Sequence, residues 1–201
     1  MISQEQVLEI LETNGALLTG HFLYTSGMHG PEYVDKDRVF PNSDDLSMLC
    51  CSLAESFANS EVEVVVAPAE GAIGMAQWVA WYLRRMTGRE VQAAYASKNK
   101  DGFWFKGAFI SLIQDHQVLL LEDILTTGGS ALKVVNLVRE TGGTIVGLGA
   151  LVNRGTVTVE AIGNIPRLVA LANLDLVAYP PADCPLCKEN IPISNSAGKG
   201  R

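Results

Sequence analysis

The stretch from Val118 to Ser130, V-L-L-L-E-D-I-L-T-T-G-G-S, concentrates residue types that can do chemistry. Glu122 and Asp123 stand side by side, then Ile124 and Leu125, then Thr126, Thr127, Gly128, Gly129 and Ser130. Glycines allow a tight backbone whose successive N–H groups face one concavity, a geometry that binds anions. The helical pattern of Ala131 to Glu140 follows at once, so the loop ends at a helix N-terminus, where open N–H groups and the positive dipole end suit a phosphate. The three hydroxyls can donate further hydrogen bonds. An ionised carboxylate only accepts them, so Glu122 and Asp123 suit the hydroxyls of a sugar rather than its phosphate. The chemistry is that of a phosphorylated sugar. The structural alternative is a solvated strand end with an ordinary N-capped turn.

The elements needed to position this stretch can be read on either side of it. Val118 to Leu121 is an apolar run of the kind buried on both faces of a parallel sheet, and the carboxylates are expected at its end. Val62–Ala67, Val91–Ala96, Phe109–Ile113, Thr144–Asn153 and Leu168–Leu171 read as further strands. Helical spacing appears over residues 4–18, from Ser43, from the 68–74 loop through Leu83, and over 131–140. Gly20 to Val34 has a strand–turn–strand pattern. The alternation predicts an α/β fold, a mostly parallel central sheet with helices on both faces plus a small N-terminal hood. Ligands of such sheets bind beyond the carboxyl ends of the strands. Four loops therefore matter: 67–74, 97–107, 122–130 and 153–155.

With 201 residues and 48% hydrophobic content, the chain can bury one substantial core, and a single domain over 1–201 is expected, with a hood over about 1–40 and a tail over 180–201. The net charge of -7 argues against nucleic-acid or membrane-surface binding. No apolar run approaches the ~20 residues of a membrane span, and the N-terminus lacks the features of a signal peptide. Cys50, Cys51, Cys184 and Cys187 do not form a disulfide framework by spacing, and a cytoplasmic protein is the simplest inference. The C-x-x-C of Cys184 and Cys187 cannot alone complete a four-ligand zinc site and reads as part of a structural tail; Cys50 and Cys51 could join it only if the fold brings them near. The last residues, from Asn195, are small and polar and are expected to be disordered.

Glu122-Asp123 followed by T-T-G-G-S resembles the phosphoribosyl-pyrophosphate motif of the type I phosphoribosyltransferases. That resemblance implies displacement of pyrophosphate from C1 of phosphoribosyl pyrophosphate by a nitrogen of a base, with Mg2+ bridging substrate oxygens and no dedicated protein cage for the metal. It gives the donor sugar to Glu122, Asp123, Ile124, Leu125, Thr126, Thr127, Gly128, Gly129 and Ser130. The 67–74 loop, A-P-A-E-G-A-I-G, is similar to the family's pyrophosphate loop, which adds Ala69, Glu70 and Gly71 and implies a non-proline cis peptide at Ala69–Glu70. Glu70 departs from the pattern, since a carboxylate beside pyrophosphate repels it unless it turns away or faces magnesium. Lys98, Lys100 and Lys106 can neutralise the leaving group, with Lys98 the best placed, and together with Asp123 they form the expected catalytic set.

The base is indicated by two further segments that resemble the orotate phosphoribosyltransferases, in particular bacterial members with a short basic loop. F-L-Y-T-S-G-M-H-G-P-E-Y-V-D at 22–35 is similar to their hood, with Ser26, Gly27, Pro31 and Tyr33 matching, the usual lysine replaced by Thr25 and the usual serine by Gly30. Arg154, in L-V-N-R-G, stands where that family binds the carboxylate of orotate, a task suited to a guanidinium fork. The resemblance thus assigns Thr25, Tyr33, Thr126 and Arg154 to orotate and implies a homodimer with shared active sites, while His29 reads as a structural or peripheral residue rather than a catalyst. A transferase for a purine or another base is one alternative. A non-catalytic regulator that senses phosphoribosyl pyrophosphate is another, motivated by Glu70, Thr25 and the absence of a loop histidine.

Overall fold

The computed structural model describes residues 1–24, 26–155 and 157–194. Thr25, and the tail from Asn195 for which disorder is expected, lie outside the described residues. After α1 (Gln4–Thr13) the chain forms a hairpin of β1 (Leu17–Leu23) and β2 (His29–Val34). A 3-10 turn over Lys36–Arg38 leads to α2 (Ser43–Phe57). The main sheet then begins, with β3 (Val64–Pro68), α3 (Ile73–Thr87), β4 (Gln92–Lys98), β5 (Phe103–Trp104), α4 (Gly107–Ile113), β6 (Gln117–Leu125), α5 (Gly129–Glu140), β7 (Thr144–Asn153) and β8 (Leu168–Asn173). A single helical turn, α6 (Pro185–Lys188), lies in the C-terminal segment.

The six strands are ordered β5-β4-β3-β6-β7-β8, with only β5 antiparallel. Strand alternation feeds two cores from one sheet. Val65, Ala67, Leu119 and Leu121 face the layer containing α1, α2 and α3, while Val64, Val66, Val118 and Leu120 face the layer of α4 and α5. This explains why the strands read as continuous apolar runs. The hairpin is a separate two-stranded sheet with its own small cluster of Phe22 and Tyr24 against Leu18, Met28 and Tyr33.

The strand order reverses between β3 and β6: β3 leads outward to β4, and the chain then crosses back to β6 on the other side. A crevice opens at such a switch point. The pairing of β3 with β6 stops at Val66↔Leu120, while β6 continues along β7 as far as Leu125↔Asn153. Glu122 and Asp123, expected at the end of the strand, therefore lie inside β6. They lie just past the point where its β3-facing edge is released.

One expected strand is a helix. Phe109–Ile113 lies within α4 (Gly107–Ile113), although β5 pairs with β4 only at Ser97 and Lys98. The backbone N–H groups of Phe109 and Ile110 donate to the Lys106 carbonyl instead, at 2.8 and 3.3 Å. Ile113 is buried while Ile110 stays 43% exposed, the one-sided burial of a surface helix.

Candidate active site

The loop after β6 enters α5 through Gly128, whose φ of 76° is left-handed. A Cβ there would also lie 2.7 Å from Ile162 Cγ2, so both conformation and space require glycine. No side chain caps this helix, which leaves the first-turn N–H groups open toward a concavity of about 400 Å³. Its walls are Glu122 through Ala131 and Lys133, so every residue assigned to the donor sugar on this loop borders one space.

Two neighbouring concavities of about 340 and 380 Å³ continue from it. The first is lined by Tyr24, Tyr33, Lys36, Asp123, Ile124, Thr126 and Arg154, among others; the second by Tyr24, Thr126, Thr127, Arg154, Leu176 and others. Thr126 borders all three. It joins the glycine loop to a chamber that Tyr24, Tyr33 and Arg154 border.

Arg154 follows β7, and its N–H donates to the Leu125 carbonyl at 2.7 Å, which ties it to the end of β6. Its guanidinium carbon lies 3.6 Å from the centroid of the Tyr24 ring. Burial draws its pKa below the usual arginine range, with Tyr24 and Tyr33 opposing the shift. Among the described residues no carboxylate lies within ion-pair distance of it. A half-buried cation held on an aromatic face and lacking an internal anion is ready for an anionic ligand.

Tyr24 and Lys36 are the functional-site residues that the sequence reading missed. The Tyr24 hydroxyl donates to the Glu32 carbonyl at 2.6 Å, and its ring lies across Gly30, where any Cβ would overlap it. The replacement of the usual hood serine by Gly30 thus makes room for Tyr24. Tyr33, expected on the base, borders the chamber and packs against Phe22 at 5.5 Å between ring centroids. Lys36 directly follows the hood motif and forms an ion pair with Asp123. Burial works against its charge, yet Asp123, with Asp37 and Glu122, holds it above the usual lysine range. Only spatial proximity reveals this pairing, since 87 positions separate the partners.

The carboxylates differ in state. Burial, reinforced by the adjacent Asp123, pushes Glu122 up to about 8, while Asp123 has the Lys36 ammonium and accepts the Ile124 N–H at 2.6 Å. This upward shift favours the protonated form of Glu122, which can donate as well as accept, a capacity the sequence reading did not give it. The peptide Ala69–Glu70 is cis, as the loop's resemblance implies. Gly71 faces the Lys36–Asp123 pair so closely that a Cβ would coincide with both charged atoms. The Glu70 side chain is exposed. The 67–74 and 122–130 loops therefore meet at one point.

The basic loop stands apart. Lys98, Lys100 and Lys106 are exposed on the β4–β5 side, with Lys106 donating to the Tyr95 hydroxyl at 3.0 Å and Lys98 5.7 Å from the Phe103 ring centroid. None of the three lines the concavities described above.

Residues 46–167 match the family described as the phosphoribosyl transferase domain. An orotate phosphoribosyltransferase of Pelotomaculum thermopropionicum is 36% identical over 191 residues, 95% of either chain, and one of Thermotoga maritima is 34% identical over 194 residues, 96% of this chain and 98% of that one. Among solved structures, an orotate phosphoribosyltransferase of Aeropyrum pernix superposes with a TM-score of 0.68 at 24% identity, covering 84% of this chain and 93% of that one. The Mycobacterium tuberculosis orotate phosphoribosyltransferase in complex with inorganic phosphate gives a TM-score of 0.64 at 25% identity, over 85% and 95% of the two chains. The cleft at the β3–β6 switch point and near-full-length similarity lead to one conclusion: this chain belongs to the type I phosphoribosyltransferases, among the orotate phosphoribosyltransferases.

Proposed function

We propose that the chain transfers the phosphoribosyl group of phosphoribosyl pyrophosphate to orotate, releasing pyrophosphate and forming orotidine 5′-phosphate. The observation that carries this reading is the position of Thr126, which borders both the anion-binding loop and the Arg154 chamber. The N–H groups and hydroxyls of Thr127 to Ser130 bind the 5′-phosphate. Glu122 and Asp123 hold the ribose hydroxyls, and the backbone of Ala69, Glu70 and Gly71 faces the pyrophosphate. Arg154 takes the orotate carboxylate in its fork, Tyr24 and Tyr33 wall the ring, and Thr126 hydrogen-bonds the base. Fixing donor and base this way converts a bimolecular displacement into one between oriented partners.

Magnesium, when bound, neutralises charge on the departing pyrophosphate. The residues present fit a metal held mainly by the substrate: Asp123 and Glu122 are the available carboxylates, and Asp123 is already partnered by Lys36. Among the described residues no cluster of three or more acidic ligands stands at this cleft. Such an arrangement suits Mg2+, which keeps several waters and uses one or two carboxylates.

In this reading Lys98, Lys100 and Lys106 close over the pyrophosphate of their own or a neighbouring subunit's site. A homodimer with shared sites is supported by the absence of these lysines from the walls of the cleft and by the exposed Trp81 and Met86 of α3 and Met48 of α2. The reading places the enzyme in the cytoplasm; no helix among the described residues is long and apolar enough to cross a membrane. The test is incubation with phosphoribosyl pyrophosphate, magnesium and a panel of bases. Orotate absorbance is expected to fall while adenine and xanthine are not consumed. An orotate signal that stays constant at every protein concentration refutes the reading.

A further inference from the structure

Cys184 and Cys187 do not stand alone in space. His21, on β1, and His29, the first residue of β2, project toward them from the hood, and the four ligand atoms all lie within 4.8 Å of one another. His21 Nε2 is 2.9 Å from His29 Nδ1 and 3.6 Å from each sulfur, and Cys187 Sγ is 3.2 Å from His29 Nδ1. A tetrahedral zinc ion with Zn–N of about 2.0–2.1 Å and Zn–S of about 2.3 Å has edges of roughly 3.3 Å between nitrogens and roughly 3.6 Å between nitrogen and sulfur. The two separations from His21 Nε2 to sulfur match those edges, and the pair of nitrogens and the Cys187–His29 pair are each about 0.4 Å closer.

Protonation reinforces the geometry. His21 Nδ1 lies 2.6 Å from the Ile191 carbonyl, which can only accept, so Nδ1 carries the proton and Nε2 turns a lone pair toward the cluster. A metal-bound histidine is commonly oriented in this way through its other nitrogen. Both histidines and Cys184 are buried, and both cysteines are free thiols. The surrounding backbone is laced together as well. His29 and Tyr179 exchange backbone hydrogen bonds at 2.8 and 2.7 Å, and the Ser194 N–H donates to the His21 carbonyl at 2.6 Å.

We propose that His21, His29, Cys184 and Cys187 form a structural site for a zinc ion that clips the C-terminal segment to the hood. Two thiolates balance the charge of the cation, so the buried centre is neutral, and binding releases the two thiol protons to solvent. Four protein ligands leave no open position, which makes the site structural rather than catalytic. Its place gives it a purpose. Tyr24 lies between His21 and His29 in the chain, while Leu176 and Ala178 precede Tyr179, and all three line the Arg154 chamber. One ion would thus hold two walls of that chamber in register.

The test uses the full chain, reconstituted with zinc or cobalt and freed of excess metal by gel filtration. About one zinc per chain is expected, and cobalt should give the intense visible bands of a tetrahedral thiolate site. A double C184S/C187S variant should lose both, whereas C51S, away from the cluster, should keep them. A strong chelator should lower the melting temperature of the wild-type chain but not that of the double variant. If the double variant fails to fold, metal content and cobalt spectra of the wild-type chain still decide. Wild-type protein that retains no zinc and gives no cobalt spectrum, or thiol titration showing a Cys184–Cys187 disulfide, overturns the proposal.

Discussion

Replacing Arg154 by alanine removes the one cation of the base chamber that, among the described residues, has an aromatic support and no internal carboxylate. Hydrogen bonds to a charged group contribute about 1.5–3 kcal/mol, and a bidentate pair with the orotate carboxylate supplies two of them in a half-buried setting. Discounting for the open side of the chamber leaves about 2–4 kcal/mol. At about 1.4 kcal/mol per tenfold change, kcat/KM for orotate should fall by ~30- to ~1000-fold. R154K keeps the charge but loses the planar fork and its stacking on Tyr24, 3.6 Å away, and should fall between wild type and R154A. The assay is steady-state loss of orotate absorbance at saturating phosphoribosyl pyrophosphate, with uracil, which lacks the carboxylate, as comparison. The wild type should strongly prefer orotate and R154A should hardly discriminate. Unchanged orotate kcat/KM in R154A, or an undiminished preference over uracil, would refute the assignment of Arg154 to the carboxylate.

Other perturbations test separate parts of the site. G71A places a methyl group where Lys36 and Asp123 meet, so it should weaken phosphoribosyl pyrophosphate binding measurably by calorimetry while circular dichroism stays native. G30A pushes on the Tyr24 ring and should raise the orotate KM more than that of phosphoribosyl pyrophosphate. Glu122 rises from an ordinary 4.5 to about 8 on folding, so the folded chain keeps a proton that the unfolded chain releases. Its contribution to stability is complete below the unfolded value and is lost as pH rises through about 8. The urea midpoint of the ligand-free protein should therefore decline between about pH 5 and about pH 9, and E122Q should flatten that decline. An equal slope in E122Q would show that Glu122 is not the group responsible.

The sequence by itself set out the loop proposed for the donor sugar, because its chemistry is local. A glycine loop, three hydroxyls and two carboxylates next to a helix start need only the βα turn that joins them, and apolar runs fix the strands on either side. The segments carrying Arg154 and Tyr33, which border one chamber and are proposed for the base, stood out through their motifs, as did the loop whose Ala69–Glu70 peptide is cis. Tertiary structure decided what depends on partners far away in the chain. Residues 109–113 form a helix whose one face, with Ile113, packs on the sheet while Ile110 faces solvent, a split that a five-residue apolar run does not reveal. Glu122 and Asp123 lie inside β6 because β7 extends the ladder beyond the last β3 pair. The proton on Glu122 follows from burial, and the charge on Asp123 is matched by Lys36, a residue no local pattern connects to it. Likewise the C-x-x-C pair has half a ligand set in sequence, and folding brings His21 and His29 from the hood to within reach of it. Short-range periodicity and loop chemistry are written along the chain, whereas protonation and ligand sets depend on which distant segments the fold packs against one another.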